Sequence, residues 1–168
     1  MKRNRFAAGL ALGVVVVVMG LAGPVAAGEP VPFKGTIEGD VIRGQVNFPF
    51  VNVLVNGMGK ATHLGKFTFE FPHVVHIPTR TAAGTYHFLA SHGAKLTADA
   101  TGLATPIPGT TILFIEETAT ITGGTGRFAG ATGSFVVQRL YDTAAGTTMG
   151  FFKGTISLRD DDDEDDDD

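Results

Sequence analysis

Gly123-Gly124-Thr125-Gly126-Arg127-Phe128-Ala129-Gly130-Ala131-Thr132-Gly133 lies between two strand-like runs, Thr111 to Ile121 and Phe135 to Tyr141. Its glycines supply positive φ angles and close backbone approach, and Phe128 gives the turn an apolar anchor. Gly124 to Ala129 formally matches the dinucleotide signature G-x-G-x-x-A. That site also requires a helix opening on the turn, whose N-terminus holds the pyrophosphate. Here Gly130, Thr132 and Gly133 lead into the β-type run Phe135-Val136-Val137. The stretch is a strand-to-strand turn, and no cofactor is implied.

Strand signals extend outward from it in both directions. In Lys66-Phe67-Thr68-Phe69-Glu70-Phe71 the three Phe side chains fall on one face and the polar ones on the other. Similar runs occupy Phe33 to Glu38, Val51 to Val55, Tyr86 to Ala90, Leu96 to Ala100, Thr111 to Ile121, Phe135 to Tyr141 and Phe151 to Leu158, about eight strands in all. Asn56-Gly57, His92-Gly93, Pro108-Gly109 and Ala145-Gly146 read as the turns between them. The chain is expected to be all-β.

Phe33-Lys34-Gly35-Thr36-Ile37 recurs as Phe152-Lys153-Gly154-Thr155-Ile156. In a closed eight-stranded up-and-down barrel the first and last strands are neighbours, so similar environments would select similar residues; chance is the other reading. Phe and Ile would share one face and Lys and Thr the other, with glycine allowing curvature. Closure also removes adhesive sheet edges. A membrane-spanning barrel needs an apolar exterior and aromatic girdles, whereas this chain has two Tyr, no Trp and charges on many strands.

The spacing G-G-T-G-x-F-x-x-A-x-G, carried by Gly123, Gly124, Thr125, Gly126, Phe128, Ala131 and Gly133, resembles the turn of dirigent proteins and the related allene oxide cyclase barrels. Thr62-His63-Leu64-Gly65-Lys66-Phe67-Thr68 is similar to bacterial secreted members of that group. The resemblance implies an eight-stranded antiparallel, calycin-like barrel with an apolar cavity, which in plant relatives binds a reactive small molecule and steers its cyclisation or radical coupling. Relatives are often homo-oligomers. The turn is a structural motif, and no catalytic residue carries over from it.

Residues 1–27 read as a secretory signal, with Lys2, Arg3 and Arg5 before an apolar stretch and Val25-Ala26-Ala27 as cleavage site; an uncleaved anchor is the competing reading. The expected organisation is signal peptide 1–27, barrel domain 28–159 and a solvated, disordered acidic tail 160–168, secreted to the periplasm or medium, with no stable membrane insertion after cleavage. No Cys is present, so packing and hydrogen bonds alone must hold an exported fold. Residues 28–159 carry ten Lys/Arg against eight Asp/Glu, with no cluster along the chain, which argues against nucleic acid as a partner. The nine acids of the tail lack the spaced ligands and glycine of a formed calcium loop.

Polar residues in the inward phase are the candidate chemistry. Leu113, Ile115, Glu117, Ala119 and Ile121 share a face, as do Phe135, Val137, Arg139 and Tyr141 on the next strand, so Arg139 would pair with Glu117. A carboxylate among apolar groups suits general acid or base work, while a structural ion pair is the plainer reading. Glu117, Arg139 and Tyr141 are the weak catalytic candidates. His73 and His76 fall on opposite faces of a strand, and His63, His87 and His92 lie in separate segments, His92 in a turn, so ordinary surface or turn histidines are expected rather than a metal site. No G-x-S-x-G nucleophile elbow occurs. The reading is a barrel that binds a small apolar ligand without catalysis; the alternatives are an isomerase or cyclase acting through Glu117 with Arg139 or Tyr141, and an interaction module with a filled barrel.

Overall fold

A computed structural model of the protein describes residues 28–159, so the expected leader at 1–27 and acidic tail at 160–168 lie outside the described residues. Eight strands, β1 (Val31–Asn47), β2 (Phe50–Ala61), β3 (Gly65–His76), β4 (Thr81–Ala90), β5 (Lys95–Pro106), β6 (Ile112–Gly124), β7 (Thr132–Asp142) and β8 (Thr147–Ser157), follow one another around a closed antiparallel barrel. Each run of alternating residues lies in its own strand, with only Thr111 and Leu158 just outside.

Closure rests on the recurring pentapeptide. The two copies face each other in antiparallel register, Phe33 opposite Gly154 and Gly35 opposite Phe152, with Lys34 opposite Lys153 between them. Each Phe therefore stands over a position that has no side chain. A Cβ on Gly35 would lie 2.9 Å from the Phe152 ring, inside contact distance. Phe33, Ile37, Phe152 and Ile156 are buried, while Lys34, Thr36, Lys153 and Thr155 face out.

One expected turn is a strand instead. Asn56-Gly57 lies inside β2, where Gly57 pairs with Gly39 on one side and Phe69 on the other. The missing side chain serves packing: a Cβ on Gly57 would lie 2.5 Å from Cε1 of Phe69. The other three glycine signals, at Gly93, Gly109 and Gly146, sit in connections with positive φ.

The two ends of the barrel differ. At one end, which we call the closed end, are the termini of the described chain and the β2–β3, β4–β5 and β6–β7 connections. Leu64 and Phe128 from these connections are completely buried, with Ala94 and Ala131 beside them. The glycine-rich turn holds Phe128 there through a 3-10 turn at Gly126–Phe128, with positive φ at Gly123, Gly126, Gly130 and Gly133. Thr125 fastens it to β5, its N–H donating to the Lys95 carbonyl (2.8 Å) and its Oγ1 accepting the Lys95 N–H (3.1 Å). At the open end, the β1–β2, β3–β4, β5–β6 and β7–β8 connections contribute no buried residue.

Between the ends the interior is packed with aromatic rings. Phe33, Phe67, Phe69, Phe71, Tyr86, Phe88, Phe135 and Phe152 are all buried and linked ring to ring. Gly57→Ala is expected to cost about 1–3 kcal/mol through overpacking against the Glu38 carbonyl and the Phe69 ring. Urea titration should place it below Gly44→Ala, where an added Cβ meets nothing nearer than 3.1 Å.

Candidate functional site

The inward phase of β6 and β7 brings Glu117 and Arg139 together. Arg139 donates from Nη2 to Oε1 of Glu117 (2.7 Å) and from Nε to Oε2 (3.1 Å), the two-pronged geometry in which guanidinium and carboxylate match best. Both are buried, Glu117 at 1% exposure and Arg139 at 4%. β5, which separates β4 from β6, contributes Ala98 and Ala100 to the interior, and across it Tyr86 of β4 donates its hydroxyl to Glu117 Oε2 (2.6 Å). Arg139 Nη1 donates to Thr148 Oγ1 (3.3 Å), which donates to the Leu140 carbonyl (2.8 Å). Three donors thus converge on one carboxylate.

The electrostatics follow from burial and pairing. Burial works against charge on Arg139, but the Glu117 carboxylate more than offsets it, and the guanidinium is held more firmly protonated than usual. Burial and then the Glu117 charge push the Tyr86 hydroxyl well above its ordinary range, so it remains a donor. Both Glu117 oxygens are occupied by these donors.

One further buried polar group was not expected. His73 is neither a surface nor a turn residue: it points inward at 8% exposure because it continues the phase of Phe67, Phe69 and Phe71 along β3. Its Nδ1 lies 3.0 Å from the Phe71 carbonyl. A carbonyl only accepts, so Nδ1 carries the proton and neutral His73 presents a lone pair on Nε2. Burial lowers its pKa, with the Phe71 hydrogen bond opposing and the Arg139 charge adding to the fall. The ring continues an aromatic stack, 4.3 Å from Phe71, which lies 3.9 Å from Tyr86.

His73, Val53, Ile115 and Tyr141, each at 8% exposure, lie on four strands one inward position nearer the open end than the Glu117 network. Ala82, Gly84, Ala104 and Leu113 lie on the same inner face, half-buried and mostly small. The inner face at the open end, which we call the mouth, is thus mainly apolar, with His73 and Tyr141 on it and the ion pair beneath. A concavity lies elsewhere, on the outer wall along Met58, Leu89, Phe114, Leu140, Met149 and Phe151. It reflects the outer face of the sheet and touches the network only where Arg139 backs it.

Sequence phase placed Glu117, Arg139 and Tyr141 inward and paired the first two, as found; Tyr141 makes no hydrogen bond to either. Tyr86, Thr148 and His73 were missed, although the alternation of Tyr86 with Phe88 and of His73 with Phe71 signals their direction. The remaining histidines stay apart, His76 bonding Thr79 (2.7 Å) on the outer face. Among the described residues, no group of three His, Cys, Asp or Glu side chains is arranged to hold a metal ion.

The closed eight-stranded barrel is similar in fold to dirigent proteins. Two solved structures, of the pterocarpan synthase dirigent proteins PsPTS1 and GePTS1, each match the chain with a TM-score of 0.54 at 13% identity. The match covers 80% of this chain and 99% of the first protein, and 91% of this chain and 100% of the second. No protein-family model matches the chain, and no curated protein matches it in sequence. The likeness is therefore one of fold.

Arg139→Met alone should cost about 3–5 kcal/mol, because it leaves the Glu117 charge buried without its partner. Adding Glu117→Leu should restore much of that loss in urea unfolding. His73 generates a separate pH signature. Its folded pKa lies below the unfolded 6.5, so its contribution is full above pH 6.5 and is lost as pH falls from there through the folded value. Stability measured across the acid range should be less steep for His73→Phe.

Proposed function

We propose that this protein is an exported dirigent-like barrel that binds a small, largely apolar molecule at its open end without turning it over. The observation that carries this reading is the contrast between the ends. One is plugged by Leu64 and Phe128; the other has an apolar inner wall, no plugging loop, and polar groups at its base. The packed aromatic centre limits a ligand to the mouth. There His73 Nε2 would accept one hydrogen bond and the Tyr141 hydroxyl would give or take another, which fits a compact apolar skeleton with one or two hydroxyl or carbonyl groups. The dirigent proteins of like fold are named for pterocarpan synthesis, and a guiding role of that kind requires a cavity more than a nucleophile.

A second reading, an isomerase or cyclase, is favoured by the lone pair of His73. Glu117 suits the role of base less well, since three donors already occupy its oxygens. In that reading His73 moves a proton on a ligand in the mouth, and Glu117 and Arg139 hold the floor beneath it.

Native mass spectrometry of the protein purified from its own host tests the first reading. The expected result is a non-covalent adduct that disappears on denaturation and is lost in Ala104→Leu, which fills the mouth, but kept in Met149→Ser on the outer wall. An adduct indifferent to Ala104→Leu and removed by Met149→Ser would transfer binding to the outer face. Conversion of the recovered ligand by the wild type, abolished in His73→Gln with binding retained, would establish the second reading.

A further inference from the structure

The basic residues, scattered along the sequence, are gathered in space. Lys34, Lys60, Lys66, Lys95, Arg127, Lys153 and Arg159 lie within four residues of the closed-end strand termini or in the connections there, and all are exposed. Against these seven cations the same region has two acids, Glu29 and Asp99. The rest of the barrel holds the opposite balance, with Arg43, Arg80 and Arg139 against six acids.

Four of the lysines form a continuous patch across β8, β1, β2 and β3. Lys153 is directly opposite Lys34, and Lys60 directly opposite Lys66. Like charges in directly opposed positions repel, since their Cβ atoms stand about 4.5–5.5 Å apart. Among the described residues none of the four has a carboxylate within ion-pair distance, and the only ion pair is Arg139 with Glu117. Such a patch calls for an anion.

The chain carries a polyanion next to it. Asp160-Asp161-Asp162-Asp163-Glu164-Asp165-Asp166-Asp167-Asp168 begins where β8 leaves the closed rim, directly after Arg159. Nine residues reach about 30 Å when extended. Lys153 lies six residues back from Arg159, about 20 Å along the strand. We propose that residues 160–168 turn back along the outer wall and lie against Lys153, Lys34, Lys60 and Lys66, screening the patch from other anions. Each exposed contact is weak, but attachment to the same chain keeps the acids at an effective concentration of order millimolar. The association is electrostatic and must weaken as the Debye length shortens from about 8 Å at 0.15 M salt to 3 Å at 1 M.

Amide spectra of the full chain and of a variant ending at Arg159 test this, with heparin as the probe anion. At low salt, the amides around Lys34, Lys60, Lys66 and Lys153 should differ between the two proteins, and the differences should vanish at 1 M salt. The truncated protein should elute from heparin at higher salt than the full chain, and a full-length variant with Asn and Gln replacing the nine acids should behave like it. Loss of the heparin difference in Lys34→Gln/Lys60→Gln would tie it to the patch. Differences confined to the residues beside Arg159, or equal heparin elution of all forms, would overturn the proposal. So would differences that grow with protein concentration, which would place the acids on a second copy. The neutral full-length variant retains every residue of the barrel, so the test does not depend on the truncated chain folding.

Discussion

Pairing of β1 with β8 is the constraint on which the rest of the barrel depends. Without it the sheet has two free edges, and a chain with no Cys has no disulfide to hold them together. The pairing also brings Phe33 and Phe152 within 4.9 Å and both close to Phe135, which starts the chain of rings that fills the interior. The two pentapeptides make this fit by placing a ring on one strand over a glycine on the other. Closure, curvature and core packing are consequently one interaction seen from three sides.

The closed core decides what the polar groups can do. Glu117 and Arg139 are tolerable inside an aromatic barrel because each satisfies the other, with Tyr86 and Thr148 taking the bonding capacity that remains. A residue so fully engaged fixes geometry more readily than it transfers protons. His73, held by one nitrogen only, keeps hydrogen-bonding capacity that the network residues have used. The division of labour arises from position: the network lies inside the packed layer, and His73 lies at its margin.

Much of this was legible in the sequence because strand alternation is a strict two-residue rule. The phase that put Glu117 beside Ile115 and Ala119, and Arg139 beside Val137, held because neither strand has a bulge between them. The glycine-rich turn was legible for the same local reason, since positive φ and close approach are written into the residue type. Asn56-Gly57 misled because one residue answers two needs: glycine opens a turn, and it also lets a ring lie on a strand. Only the register against Phe69 separates the cases. Thr148 is on the strand next to Arg139, but a lone Thr in an alternating strand gives no sign of its partner. Tyr86 was hidden because its partner Glu117 is 31 residues away, on a strand that the sequence does not place beside it. The basic patch was hidden for the same reason, as its lysines come from both ends of the domain.

The closed rim also brings the first and last described residues together, with the Gly28 N–H donating to the Leu158 carbonyl at 2.8 Å. All seven connections are short links between adjacent antiparallel strands, so no strand crosses another to reach its place. Topologically the domain is a ring of eight equivalent members, and the point at which the polypeptide opens is a choice separate from the fold. Joining Gly28 to Arg159 and cutting at an exposed link such as Pro108-Gly109 would rename every strand and leave every neighbour in place. The barrel is in that sense a circular object carried by a linear chain.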